Sequence, residues 1–184
     1  MLLFKQKIYR NNQIMIKIEI AQKNDINKIS QLAKKTFIET FSETNSEEDL
    51  SFYLENNFSL EKITEEMNHP NSIFFISYFD NIPCGYLKIN FDKIPKELQG
   101  YKTIELQRIY ILKEFIGKKI GKLLMEKTIS IAKEKNVDYI WLGVWENNYS
   151  AKKFYNNWGF KIFGSHIFQT GKNIETDELM SLKV

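Results

Sequence analysis

The sequence has few of the residues that build disulfides, metal centres and histidine-based catalytic sites. Among its 184 residues there is one cysteine, Cys84, and there are two histidines, His69 and His166. A single cysteine excludes an internal disulfide and a cysteine-rich zinc site. The histidines show no arrangement typical of a Ser-His-Asp or Cys-His site. We therefore expect no metal, a buried and unreactive Cys84, and a His166 that lies in the core or at an interface.

Long apolar segments and a strong charge of one sign are also absent. The longest apolar run, residues 73–79, contains a serine and is far shorter than the roughly 20 residues that span a bilayer. The first residues lack the basic region of a secretory signal. A net charge of +3 gives no reason to expect nucleic-acid binding. These absences predict a cytoplasmic protein with neither a nucleic-acid nor a membrane partner.

What is present suits one globular domain. Hydrophobic residues make up 43% of the chain and aromatic residues 14%, enough for a sizeable core and too many for a disordered chain. Residues 1–14 look unlike the rest and precede a second methionine, Met15. We interpret them as an N-terminal extension or a wrongly assigned start, and residues 15–184 as a single domain.

The periodicity of apolar residues predicts a mixed architecture. Ile16, Ile18 and Ile20 alternate with polar residues, as in a first strand, and residues 25–41 carry apolar side chains at helical spacing. Hairpins in the middle and strand-helix-strand units later predict the α/β (α+β) class, a central twisted mixed sheet flanked by helices. Further helices are predicted from 46, over 60–68, 117–135 and 150–157, and further strands over 73–79, 84–91, 103–112, 137–144, 160–168 and 175–184.

One segment, residues 106–124, has the pattern of a phosphate-binding site. A strand leads through a glycine-containing turn into a helix, and such a turn presents unpaired N–H groups at the positive end of the helix dipole. Three lysines, Lys118, Lys119 and Lys122, add positive charge there. The segment lacks the glycine patterns of a Rossmann fold and of a P-loop. An ordinary helix with a solvated basic face is the alternative interpretation.

A second segment has the pattern Asn148-x-x-Ala151-x-x-Phe154-Tyr155-x-x-x-Gly159-Phe160. By themselves its aromatic residues would be core residues. Together, however, the two segments resemble the GNAT superfamily of acetyl-CoA-dependent N-acetyltransferases, and the element order over residues 16–184 agrees with that family. The resemblance is closest to the PaiA-type spermidine/spermine N-acetyltransferases, in the stretches 36–41, 105–110, 164–168 and 176–177.

The resemblance implies a GNAT acyl-CoA N-acyltransferase fold with acetyl-CoA as cosubstrate. The strands at 103–112 and 138–144 would splay apart, and the thioester would lie in the gap. One departure concerns the family's loop Gln/Arg-x-x-Gly-x-Gly/Ala, in which Ile116 replaces the polar first residue and Lys119 the first glycine. The cofactor-binding residues that the resemblance implies are Ile109, Tyr110, Ile111, Gly117, Lys118, Lys119, Ile120, Gly121, Lys122 and Asn148.

The resemblance also implies two catalytic residues. Tyr155 would protonate the leaving thiolate as a general acid, and Glu105 is the candidate base, since several family members carry a base four residues before the position of Ile109. An orienting or ion-paired strand residue is the alternative interpretation of Glu105.

The acceptor is predicted from charge. Residues 36–61 contain seven acidic residues and no lysine or arginine, and in this fold the segment would form a wall of the acceptor groove. Such a wall would steer a cation, so we expect a small cationic amine, a polyamine such as spermidine or spermine. The acidic residues also suit a helix start. A protein or peptide N-acetyltransferase and a catalytically weak CoA-binding regulatory protein are the alternatives, and a homodimer paired through the last two strands is left open. The seven are Glu39, Glu43, Glu47, Glu48, Asp49, Glu55 and Glu61.

Overall fold

An eight-stranded mixed sheet runs through the computed structural model, which describes residues 9–11, 14–170 and 173–184. The strand order is β1-β2-β3-β4-β5-β6-β8-β7, and only β5 and β6 are parallel. The predicted mixed sheet is confirmed. The strands are β1 (Tyr9–Asn11), β2 (Ile14–Ile20), β3 (Ser72–Phe79), β4 (Ile82–Asn90), β5 (Thr103–Ile111), β6 (Tyr139–Trp145), β7 (Lys161–Thr170) and β8 (Asn173–Lys183). The helices are α1 (Ile26–Phe41), α2 (Glu47–Phe58), α3 (Leu60–Asn68), α4 (Ile120–Glu134) and α5 (Tyr149–Asn157).

The sheet opens in its centre, between β5 and β6. These strands pair only over Thr103–Glu105 and Tyr139–Trp141. Beyond Glu105, β5 continues beside β4 alone as far as Ile111. The two central strands therefore diverge, as the family resemblance implied.

The helices cover both faces of the sheet. Phe74 and Phe75 are neighbours on β3 and so point to opposite faces. The ammonium of Lys127 on α4 lies 5.2 Å from the ring centroid of Phe75. Lys88, which is bound to Glu66 of α3, lies 5.3 Å from that of Phe74. Helices α3 and α4 thus pack on opposite faces.

Local signals in the sequence explain several element ends. The side chain of Ser46 caps α2 by accepting the N–H of Asp49 at 3.1 Å, and acidic residues in that first turn suit the helix dipole. Asp80 and Asn81 have φ values of 50° and 66°, which matches the tight turn of a two-residue β-hairpin. Gly159 follows α5 with φ 91° and ends it as predicted.

Many bounds lie one or two residues from the predicted positions, and the start of α4 lies three residues away. Helix α4 begins at Ile120 and not at 117, because Gly117 and Lys119 adopt positive φ values of 84° and 64°. Part of the proposed N-terminal extension, Tyr9–Asn11, pairs with β2, while residues 1–8 and 12–13 lie outside the described residues. Cys84 is fully buried, as expected. In the described part of the chain, no helix combines the length and apolar character needed to cross a membrane.

Candidate active site

A cavity of about 650 Å³ lies beside the opening of the sheet. Side chains from α1, α2, α3 and α5 line it, together with residues of strands β3 to β8 and of the loop after β4. Of the residues predicted to form the site, five line this cavity, namely Glu105, Ile109, Tyr110, Asn148 and Tyr155. The cavity therefore brings the two predicted catalytic residues into one place.

The backbone of β5 presents hydrogen-bonding groups to the opening. The N–H of Leu112 donates to the carbonyl of Cys84 on β4 at 2.9 Å. Because bonding alternates along an antiparallel pair, Tyr110 also bonds to β4. Ile109 and Ile111 then direct their N–H and C=O groups away from β4, toward the gap. Both are among the residues that the family resemblance implied for binding the cosubstrate.

The N-terminus of α4 offers a second set of donors. The first amide of the helix to bond a backbone carbonyl is that of Leu123, which donates to Lys119 at 3.2 Å. Within the described residues, the N–H groups of residues 119–122 donate to no backbone carbonyl. Such unpaired amides at the positive end of a helix suit a phosphate. These amides belong to the segment 106–124, whose pattern predicted a phosphate-binding site.

The side chains around the start of α4 have two roles: some pack the helix against its neighbours, and others carry positive charge. A Cβ on Gly121 would lie 3.3 Å from Cδ1 of Ile111 and 3.6 Å from the ring of Phe154, so the glycine lets α4 approach β5 and α5. The ammonium of Lys118 lies 4.4 Å from the ring centroid of Phe79. Lys122 is exposed, 3.9 Å from Glu126. Lys119 is also exposed and occupies the left-handed conformation that suits glycine.

A bulge in β5 places two charged residues on the same face. The register between β4 and β5 steps from Lys88–Arg108 to Ile89–Leu106, so Gln107 is the extra residue. In a regular strand, positions 105 and 108 would face opposite sides of the sheet. With the bulge, Glu105 and Arg108 both line the cavity.

Glu105 is held by an amide and not by an ion pair. Its Oε2 accepts a 2.6 Å hydrogen bond from Nδ2 of Asn90, and Oδ1 of Asn90 accepts one of 2.7 Å from Ser72. Burial raises the pKa of Glu105, while the bond from Asn90 and nearby cations oppose that rise. Among the described residues, no cation lies within 4.0 Å of its carboxylate. The ion-paired interpretation of Glu105 is therefore wrong for this structure.

A buried charge cluster lies on the same face. Arg108 donates two hydrogen bonds to Glu66, of 2.6 and 3.1 Å, and stacks 4.9 Å above the ring centroid of Phe58. The ammonium of Lys88 lies 2.9 Å from Oε1 of Glu66, which also accepts one of the bonds from Arg108. Burial and the nearby arginine lower the pKa of Lys88 to about 8. The cluster fastens α3 to β4 and β5.

Tyr155 is buried at the end of α5, against the sheet. Its ring centroid lies 5.5 Å from that of Phe154 and 5.7 Å from that of Phe160. Burial raises the pKa of Tyr155 well above its usual value, so the phenol keeps its proton throughout the neutral range. Asn148 caps the same helix, because its Oδ1 accepts the N–H of Ala151 at 3.0 Å. Its side-chain amide nitrogen forms no hydrogen bond within the described part of the chain.

Two carboxylates from β8, Glu175 and Asp177, line the far end of the cavity. His166 of β7 lies 3.6 Å from Asp177. Burial raises the pKa of both carboxylates, and the charge of Asp177 raises that of Glu175 further. A Cβ on Gly143 would lie 3.3 Å from Oδ2 of Asp177 and 3.4 Å from Cε1 of His166. Because Gly143 has no side chain, the side chains of Asp177 and His166 can pack directly against β6.

The seven acidic residues that were predicted to form a wall of the acceptor groove do not form it. The segment 36–61 does line the cavity, but with an amide and four aromatic rings, namely Asn57, Phe37, Phe41, Tyr53 and Phe58. Tyr53 stacks on Phe37 with 4.4 Å between ring centroids. None of the seven acidic residues lines the described cavity. Glu47, Glu48 and Glu55 of α2 are exposed to solvent, and Glu39 of α1 instead accepts the N–H of Lys113 at 2.8 Å.

His166 is not a core residue, since its side chain is 46% exposed at the cavity, and the alternative position at an interface stays a prediction. Residues that the sequence reasoning missed are Ser72, Lys88, Asn90, Arg108, Glu66, Glu175 and Asp177. Some of them had a signal. Lys88 stands inside a largely apolar strand, and Arg108 directly precedes the apolar run 109–112, where a charge needs a buried partner.

The site combines an unpaired strand edge, a helix N-terminus with free amides, and a cavity lined by ionisable groups. This combination suits acyl transfer from a donor that carries phosphate groups. The model of the acetyltransferase (GNAT) family matches residues 26–160, and the chain belongs to this family. It is therefore an N-acetyltransferase.

Two relatives agree with this assignment, and a solved structure shares the fold. An uncharacterized N-acetyltransferase of Lactobacillus delbrueckii subsp. lactis is 33% identical over 165 residues, which cover 90% of this chain and 95% of the relative. A spermidine N(1)-acetyltransferase of Thermoplasma acidophilum is 26% identical over 142 residues, covering 75% of this chain and 83% of the relative. The crystal structure of the PaiA N-acetyltransferase of Thermoplasma acidophilum, a complex with coenzyme A, superposes with a TM-score of 0.75 at 24% identity and covers 92% of this chain and 99% of that one.

Proposed function

We propose that the protein transfers an acetyl group from acetyl-CoA to a small cationic amine, a polyamine such as spermidine or spermine. The observation that carries the proposal is the pair of carboxylates, Glu175 and Asp177, at the end of the cavity. The similarity to a spermidine N(1)-acetyltransferase points to the same class of acceptor.

The charge balance of the cavity favours a cation at that end. Elsewhere in the cavity Glu66 is bound by Arg108 and Lys88, and Glu65 by Lys62 at 2.8 Å. Glu105 is held by the amide of Asn90, and Asp92 lies 3.6 Å from His69. Beside β8 the two carboxylates have only the exposed His166 within 4.0 Å among the described residues. A protonated amine bound there would offset the repulsion between the two carboxylates and favour their ionised forms. An acidic acceptor would be repelled.

The donor site is assigned to β5 and α4. Unpaired backbone groups of Ile109 and Ile111 suit an extended pantetheine arm, and the four free amides at residues 119–122 suit a pyrophosphate. Both sets of groups come from backbone, so the replacement of a family glycine by Lys119 removes no donor. Acetyl-CoA supplies the thioester that the amine attacks.

Glu105 is the proposed base. An alkyl ammonium with a pKa near 10.4 must lose its proton before it attacks, which costs about 4.6 kcal/mol at pH 7. Burial brings the pKa of Glu105 upward from its usual value, and a base whose pKa lies closer to the working pH transfers protons more effectively. The carboxylate lines the cavity, where an acceptor amine would lie.

Tyr155 is the proposed acid. The buried phenol retains its proton at neutral pH and can donate a hydrogen bond to a thiolate as it leaves. A free thiol has a pKa near 8.5, below that of the phenol. Complete transfer to the sulfur is therefore uphill, and the proton leaves Tyr155 only as the thiolate charge develops.

The test is thiol release from acetyl-CoA by the purified protein, with spermidine, spermine, a lysine peptide and no acceptor in parallel. We expect release that depends on the polyamine. Faster release with the peptide would favour the peptide N-acetyltransferase. No release with any acceptor, together with acetyl-CoA binding in calorimetry, would favour the regulatory CoA-binding protein.

A further inference from the structure

Glu105 is the last member of a hydrogen-bonded chain that crosses three neighbouring strands. Ser72 begins β3, Asn90 ends β4, and both Ser72–Asn90 and Asn90–Glu105 are directly paired in the strand register. The side chains are joined by bonds of 2.7 and 2.6 Å. All three residues line the cavity, so the chain belongs to the wall that an acceptor would meet.

The chemistry of the three groups fixes the direction of each bond. An ionised carboxylate only accepts hydrogen bonds, so the NH₂ of Asn90 faces Glu105. The carbonyl oxygen of Asn90 then faces Ser72, whose hydroxyl must donate. Oε2 of Glu105 is thereby occupied. Among the described residues Oε1 has no hydrogen-bond partner, so Oε1 is the oxygen that can receive a proton.

We propose that Asn90, oriented by Ser72, is the positioning residue for the base Glu105. It fixes the carboxylate so that Oε1 faces the acceptor, and it stabilises the ionised form that acts as a base. The proposal rests on the proposed function, in which Glu105 removes the proton of the amine. Asn90 touches neither substrate nor cosubstrate in this role.

The surroundings of Glu105 make the hydrogen bond from Asn90 important for the ionised carboxylate. Asn90 is only 3% exposed, so water cannot easily replace it. Three cations act on Glu105 from a distance: Lys88 on β4, Lys93 in the following loop, and Arg108 on β5. The first and last of these are also bound to Glu66. The other titratable groups that line the cavity are Lys62, Glu65, His69 and Asp92 on the α3 side and His166, Glu175 and Asp177 on the β7–β8 side, with Tyr53, Tyr110 and Tyr155 between them.

The experiment compares pH profiles of turnover at saturating acetyl-CoA and polyamine. A base acts when ionised, so the rate rises with pH through the pKa of Glu105. Glu105→Gln removes this acidic limb. Asn90→Ala removes the charge-assisted bond and moves the limb upward by about one pH unit. The nearly isosteric Asn90→Asp moves it further, because two carboxylates cannot both ionise easily at this distance.

Ser72→Ala should move the limb in the same direction by less. Ser77→Ala is the matched control, since Ser77 is buried on the same strand and its hydroxyl lies beside Cys84, outside the cavity. It should leave the limb in place. A carbon-13 titration of the glutamate carboxyls, with the signal of Glu105 assigned by its loss in Glu105→Gln, measures the same shift without catalysis.

Each outcome is decisive. If the limb and the carboxyl titration of Glu105 stay at their wild-type positions in Asn90→Ala and Asn90→Asp, the positioning role is overturned while the base assignment stands. If Glu105→Gln keeps the wild-type limb, the base assignment fails and the positioning role fails with it. Since Asn90→Asp retains the volume of the side chain, loss of folding in Asn90→Ala does not prevent the test.

Discussion

Arg108 of β5 and Glu66 of α3 are joined by two hydrogen bonds of 2.6 and 3.1 Å, with both side chains about nine-tenths buried. Lys88 adds a third cation-to-carboxylate contact. Removing the shared carboxylate would leave two buried cations without their partner. We expect Glu66→Gln to destabilise the protein by about 3–5 kcal/mol, measured by urea unfolding. Glu65→Gln is the control, since this exposed neighbour on α3 should leave the midpoint unchanged.

The lowered pKa of Lys88 predicts how stability varies with pH. The folded protein releases this proton near pH 8, whereas the unfolded chain keeps it to about pH 10.4. Between these values the unfolded state binds more protons, so stability rises with pH. Above pH 10 the buried tyrosines reverse the trend, because the unfolded chain then loses phenolic protons first. From pH 8 to 10 the wild type should gain about 2 kcal/mol relative to Lys88→Met. Parallel stability curves of the two proteins over this range would contradict the lowered pKa.

Loss of the Tyr155 hydroxyl should affect chemistry and not donor binding. We expect Tyr155→Phe to lower turnover at least about tenfold and to leave the dissociation constant of acetyl-CoA in calorimetry nearly unchanged. Tyr86→Phe is a matched control, because Tyr86 is fully buried and lies outside the cavity lining. Unchanged turnover in Tyr155→Phe would remove this residue from the role of acid.

The carboxylates of β8 should determine the affinity for polyamines. Glu175→Gln and Asp177→Asn should each raise KM for spermidine by about three- to tenfold, with a smaller effect on kcat, because a charge pair to a distal ammonium is lost. A monoamine such as butylamine should be less affected. Glu55→Gln, in the exposed acidic face of α2, should have no effect. The opposite pattern would restore the acidic wall that was predicted over residues 36–61.

The left-handed backbone at Lys119 predicts a difference between two variants that both lose its charge. A Cβ in this conformation costs about 1 kcal/mol or more relative to glycine. Lys119→Gly should therefore be more stable than Lys119→Ala by about 1 kcal/mol in urea unfolding. Both should bind acetyl-CoA less tightly than wild type at low salt and approach it at high salt, because the contribution of an exposed lysine is screened.

Local sequence patterns predicted the order of the elements and the residues near Tyr155, because a helix cap, a helical repeat and the Asn148–Tyr155 spacing all lie within a few residues. The predicted start of α4 is three residues too early, because no local pattern predicts the left-handed conformation of Lys119. The extra strand at Tyr9–Asn11 was missed because three residues carry no periodicity.

The contacts that build the cavity could not be read in the same way. Ser72, Asn90 and Glu105 meet through strand register, and the bulge at Gln107 decides which side chains of β5 share a face. Register depends on the whole sheet and not on neighbours along the chain. The acidic residues of α2 were predicted to face the acceptor groove for a related reason. The sequence shows how many there are, but it does not show how the helix is oriented.

The three residue pairs that hold β5 to β6 have a consequence for solubility. Unpaired strand edges usually occur at the margins of a sheet, where they invite other chains to add a strand and aggregate. Here the unpaired edge of β5 lies in the interior of the sheet. It faces a gap between β5 and β6 that closes at the paired residues Glu105 and Trp141. Another sheet cannot lie flat against it, whereas one slender, extended molecule can. The unpaired backbone groups of Ile109 and Ile111 thus lie where a strand of another molecule would reach them less easily than at the margin of the sheet.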